Sequence, residues 1–80
     1  MSIYALLQHD ELRVRELGEL LNTIASALDQ KKITEQEYVT LMIDAERLKE
    51  VMDLSEDLEL RLKINAAFKV VIQIAKMVNL

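Results

Sequence analysis

The chain has 80 residues and a mass of 9.2 kDa, with 51% apolar and 30% charged residues, one Gly, no Pro, no Cys and no Trp. Such a length holds one core, and so apolar a composition excludes a disordered or Pro-rich chain. The absence of Cys excludes disulfides, thiolate metal sites and cysteine nucleophiles, and a net charge of −4 runs against the basic face of a dedicated nucleic-acid binder.

The opening Met1-Ser2-Ile3-Tyr4-Ala5-Leu6-Leu7 lacks a basic leader, and Gln8, His9 and Asp10 interrupt its apolar run, so it does not read as a secretory signal. No lipidation signature is present at either end. The most apolar stretch, Ile64 to Leu80, carries Lys69 and Lys76 and falls short of the about 20 uncharged residues of a membrane span. The expectation is a cytoplasmic protein that contacts neither membrane nor nucleic acid.

Strong helix formers dominate, and little punctuates strands. The first predicted helix runs over about 2–28. Ile3, Leu7, Asp10, Val14, Leu17, Leu21, Ile24 and Leu28 recur in alternating steps of four and three, the 3.5-residue period of a coiled-coil or bundle seam. Leu6, Leu20 and Ala27 widen the stripe towards a bundle face. Gly18 lies beside the seam, where it permits close approach of another helix. Asp10 is the polar seam position, set either at a frayed end of the bundle or as a buried residue that fixes register.

After Asp29-Gln30-Lys31-Lys32 comes the clearest local signal. Thr34 and Glu37 have the spacing of a capping box, flanked by Ile33 and Tyr38 as a hydrophobic staple. The second predicted helix, 35–53, therefore starts at Glu35, with a core stripe of Tyr38, Leu41, Met42, Ala45, Leu48 and Met52. Val39 and Ile43 sit off that stripe and point to a second contact surface. The stripe then loses phase, which predicts a turn near Asp53 to Ser55, both acceptable caps; the alternative is one continuous helix from Glu35 to Leu80. The third predicted helix, about 56–78, is apolar over two-thirds of its circumference beyond Ile64 and needs partners on several sides. Residues 53–60 hold four acids and no base, and residues 61–80 four bases and no acid. That gradient suits the helix dipoles and also describes a bipolar docking surface.

Catalytic constellations are sparse. There is one histidine, and His9 does not share a helix face with its neighbours Asp10 and Glu11. Neither a Gly-rich phosphate loop nor a Glu-x-x-His metal pair is present. Arg13, Arg15 and the Lys31-Lys32 pair do not form a basic face.

One segment, Arg15-Glu16-Leu17-Gly18-Glu19-Leu20-Leu21, resembles the first acidic motif of the all-helical nucleoside-triphosphate pyrophosphatases, the MazG-like family. In that family Glu-x-x-Glu on one helix and Glu-x-x-Asp on the next hold magnesium for phosphate hydrolysis. The resemblance implies Glu16, Glu19, Glu50 and Asp53 as ligands. The family's second motif opens its apolar helix, where this chain has Arg61, Lys63 and Asn65. Separately, residues 28–38 are similar to a Gly-Ile-Thr-x-x-Glu-Phe turn found in short helical oligomerisation motifs.

The preferred reading is an all-α single domain of three helices, a long N-terminal helix plus a helical hairpin, packed as an oligomeric bundle. The expected function is non-catalytic, needing no metal or cofactor: a small protein–protein interaction module (assembly factor, adaptor or inhibitor) in the style of small bacterial and phage proteins. Its expected partners are itself and a further protein. The expected self-association residues are Leu7, Val14, Leu17, Leu21, Ile24 and Leu28, with Phe68, Val71, Ile72 and Ile74 in the shared core.

Overall fold

A computed structural model describes residues 2–53 and 57–79. Four helices follow one another: α1 (Ser2–Leu7), α2 (Leu12–Asp29), α3 (Glu35–Asp53) and α4 (Leu58–Met77), with no strand among the described residues. The all-α expectation holds, but the long first helix is corrected to two helices. The break falls at Gln8–Glu11, where the heptad pattern runs through Asp10. Continuing the helix would carry a carboxylate into the seam, and His9 and Asp10 compete well for backbone partners outside a helix. The chain turns instead. The His9 N–H donates to the Leu6 carbonyl (3.2 Å), and the Glu11 N–H donates to His9 Nδ1 (3.0 Å). Arg15 Nη1 then donates to the carbonyls of His9 and Asp10, both at 3.0 Å. Asp10 is thereby left exposed, not in any seam.

The turn folds α1 back onto α2 and α4. Ile3 and Leu6 are buried there, each contributing about 1.5–3 kcal/mol of apolar burial. Gly18 makes the docking possible: a Cβ at this position would lie 2.9 Å from Leu6 Cβ and 3.1 Å from the Leu7 nitrogen. The single glycine thus permits a close approach, and the approaching helix is α1.

α2 ends in a left-handed cap, with Lys31 at φ 55°. Lys31 N–H donates to the Leu28 carbonyl (3.0 Å) and Lys32 N–H to the Ala27 carbonyl (2.9 Å), the paired bonds of a Schellman motif with lysine where glycine is usual. The capping box forms as read. Glu37 N–H donates to Thr34 Oγ1 (3.1 Å), and Thr34 N–H donates to Glu37 Oε1 (3.0 Å). Ile33 and Tyr38, the staple residues, are both half-buried against the core. Partial burial also pushes the Tyr38 phenol up from its ordinary pKa.

α3 and α4 are separate helices, which excludes the continuous one. The N-cap of α4 is Asp57, in extended conformation, accepting from the Leu60 N–H (3.1 Å). The cap expected at Asp53 gives way to this one, since Asp53 ends α3; the expected cap Ser55 and the expected start at Glu56 lie outside the described residues, as do Leu54 and Leu80.

The core is contributed by all four helices: Val14, Leu17, Leu21, Ile24 and Leu28 of α2, Leu60, Ile64, Ala67, Phe68, Val71 and Ala75 of α4, Ile3 and Leu6 of α1, and Ala45 and Met52 of α3. Folding α1 back supplies one of the partners that apolar α4 requires. The chain measures 35 × 22 × 18 Å with a Cα radius of gyration of 12.1 Å, close to the about 11.6 Å expected of a compact 80-residue domain.

Candidate functional site

α3 is the outlying helix. It packs along α2 but scarcely touches α4, so the face between α3 and α4 stays open. Two adjoining depressions run along it. One, of about 490 Å³, is lined chiefly by Val39, Met42 and Ile43 of α3 and Ile72 of α4. The other, of about 430 Å³, lies between Glu46 and Lys49 of α3 and Leu62, Asn65, Phe68 and Lys69 of α4. Glu46 and Ile72 border both, so the two form one groove.

Its walls are conspicuously apolar for solvent-facing surface. Val39 and Ile43 are each 48% exposed, Leu62 is 59% and Ile72 39% exposed. Helical spacing puts Val39 and Ile43 one turn apart on α3, off the stripe that faces α2. Lone exposed apolar residues are ordinary on protein surfaces, but a contiguous set rimmed by charge marks a contact site.

The rim charges are partly satisfied within the chain. Lys49 reaches over the Phe68 ring, 5.3 Å from its centroid, a cation–π arrangement. Arg47 lies 4.0 Å from Asp44. Glu46 and Glu50 on the α3 side and Lys69 on the α4 side take part in no ion pair among the described residues.

Most of the expected self-association residues lie elsewhere. Val14, Leu17, Leu21, Ile24, Leu28 and Val71 are fully enclosed by the chain's own helices, and Phe68 is nearly so. Leu7 and Ile74 are half-buried against the same core. Ile72 and, at the floor of the second depression, Phe68 are the members of that set that line the groove. Their companions Val39, Ile43 and Leu62 lie outside that set; in the sequence, the off-stripe position of Val39 and Ile43 is the signal that points to them.

The carboxylates of the pyrophosphatase-like motifs are on two helices, Glu16 and Glu19 exposed on α2 and Glu50 exposed on α3, with Asp53 ending α3. Among the described residues no three His, Cys, Asp or Glu side chains converge as a metal site. The His9 side chain accepts the Glu11 backbone N–H at Nδ1 in the α1–α2 turn. Among these residues, too, no helix is long and apolar enough to cross a membrane.

No family model, curated protein or solved structure matches this chain.

Proposed function

We propose that the chain is a non-catalytic protein–protein interaction module of the assembly-factor, adaptor or inhibitor kind, working by helix packing, with the α3/α4 groove as its contact surface. The observation that carries this reading is the open apolar face bordered by Val39, Ile43, Leu62 and Ile72, beside a core that the same chain closes elsewhere. A helix laid in such a groove would cover these side chains and bring α3 and α4 into one packed layer, the helix-in-groove mode of recognition. Self-association and capture of another protein both belong to this reading; catalysis, a metal and a cofactor do not.

Site-specific photocrosslinking in cells tests it. A photoreactive residue at Val39 or Ile43 should yield defined protein adducts, and one at exposed Glu19 on α2 should not. Equal labelling from both faces, or no defined adduct from the groove, would refute the assignment.

A further inference from the structure

α1 is a helix of six residues, too short to persist on its own. Its place on α2 and α4 rests on burial of Ile3 and Leu6 and on the turn that reverses the chain. The His9 N–H donates to the Leu6 carbonyl, and Arg15 Nη1 donates to the carbonyls of His9 and Asp10. Those bonds keep their donors and acceptors at any ordinary pH. The remaining one, from the Glu11 N–H to His9 Nδ1 at 3.0 Å, does not. Nδ1 accepts only while it carries no proton, and in the imidazolium both ring nitrogens are donors. Histidine is the side-chain type that changes charge between about pH 5 and pH 8; the chain has one, and no cysteine.

We propose that this turn is an acid-sensitive latch on α1. Neutral His9 closes it by accepting the Glu11 N–H. Protonation removes that acceptor and sets one N–H against another, so α1 opens from α2 and α4. Opening uncovers Ile3, Leu6 and the α2 surface around Gly18, against which Leu6 and Leu7 lie in the docked state. The open form takes up a proton at His9 without losing a bond, whereas the docked form must give one up, so acid shifts the balance towards opening. The latch works apart from the α3/α4 groove, since α1 packs on α2 and α4 and not on α3.

The charged surroundings leave that bond in control. α1 carries no charged side chain. In the turn, Asp10 and Glu11 are exposed and neither forms an ion pair with the imidazole, so their attraction for an imidazolium is screened by solvent. On α2, Arg15 binds the His9 carbonyl and fixes a positive charge on the residue where protonation adds a second, while Arg13, Glu16 and Glu19 are exposed. α4 carries Glu59, Arg61, Lys63, Lys69 and Lys76, none of them ion-paired with the turn among the described residues. Loss of one hydrogen bond of this kind changes an equilibrium about three- to tenfold. Ile3 and Leu6 still favour docking, so acid raises the fraction of time α1 spends open and does not detach it outright.

Native-state amide hydrogen exchange of the full chain reads this, as protection factors taken against the intrinsic rate at each pH. Between about pH 7.5 and about pH 5.5, protection of the Leu6 and Leu7 amides should fall about three- to tenfold while that of Val71 in α4 changes by less than about twofold. His9→Asn is the conservative variant. Its Oδ1 accepts an N–H two residues on, as in an Asx-turn, and does not titrate, so α1 should stay protected at both pH values. His9→Ala has no acceptor and should show, at either pH, the low α1 protection that the parent shows in acid. An undiminished parent, an equal fall in His9→Asn or full α1 protection in His9→Ala overturns the latch. So does a fall shared by Val71, because the whole chain would then be losing stability.

Discussion

Gly18→Ala separates packing from propensity by the sign of its effect. In a free helix the substitution gains about 1 kcal/mol. In α2 the methyl group has no room: it would lie 2.9 Å from Leu6 Cβ, 3.1 Å from the Leu7 nitrogen and 3.2 Å from the Leu6 carbonyl carbon. Two of those atoms are backbone and the third is anchored to it, so no side-chain rotation relieves the contact. α1 must shift as a body, and overpacking of this sort costs about 1–3 kcal/mol. Releasing α1 altogether would expose Ile3 and Leu6, at about 1.5–3 kcal/mol each, so a shift is the cheaper response. After the propensity gain is subtracted, the expected outcome is a loss of about 1 kcal/mol, or roughly 4–8 °C in Tm for a domain of this size. Circular dichroism during thermal unfolding measures it, and amide hydrogen exchange should show α1 deprotected more than the middle of α4. A Tm raised by several degrees with α1 protection unchanged would refute the docking of α1 on Gly18.

Three further outcomes follow from local geometry. Lys31 holds a left-handed conformation that costs an L-residue about 1–2 kcal/mol; Lys31→Gly should therefore raise Tm by several degrees, the gain being reduced by the roughly 0.5–1 kcal/mol of unfolded-state entropy that glycine adds. A fall in Tm would mean that the Schellman cap is absent. Glu37 is held below its ordinary pKa by accepting the Thr34 N–H and by its Thr34 side-chain partner. A carboxyl depressed on folding stabilises above its unfolded pKa and loses that contribution as pH falls through the folded value. The protection factor of the Thr34 amide, its exchange rate relative to the intrinsic rate at each pH, should fall over that acid window, and Glu37→Gln, which retains a capping-box acceptor, should remove the dependence. Asp10→Leu should change stability by no more than about 0.5 kcal/mol, because the side chain is exposed and the turn uses its carbonyl; a large rise in Tm would place Asp10 in a closed seam after all.

Where one physical signal acted alone, sequence and structure agree. Thr34 and Glu37 meet because capping needs only residues three apart, and the α3 stripe from Tyr38 to Met52 faces the core because periodicity alone decides it. Where two signals competed, the longer-range one was invisible. The 3.5-residue pattern continues through Asp10 by spacing, yet a turn stabilised by His9 and by Arg15, a full helical turn into α2, interrupts it. Asp57 was hidden among neighbouring acids that could equally have capped α4. The enclosed seam of α2 looked like an interface because a sequence does not reveal that α1 folds back and that α4 lies alongside. The groove was half legible: Val39 and Ile43 stood off their stripe, whereas Leu62 and Ile72 became their neighbours only through the splay of α3 from α4.

The most direct test of the account is the molar mass in solution, by light scattering over a tenfold concentration range, of the parent chain and of Ile43→Ser/Ile72→Ser. Both substituted side chains are exposed, so helix content should persist. The expected result is twice 9.2 kDa for the parent and the single-chain mass for the variant. A parent that remains at 9.2 kDa, or a variant that associates as the parent does, would contradict self-association through the α3/α4 groove.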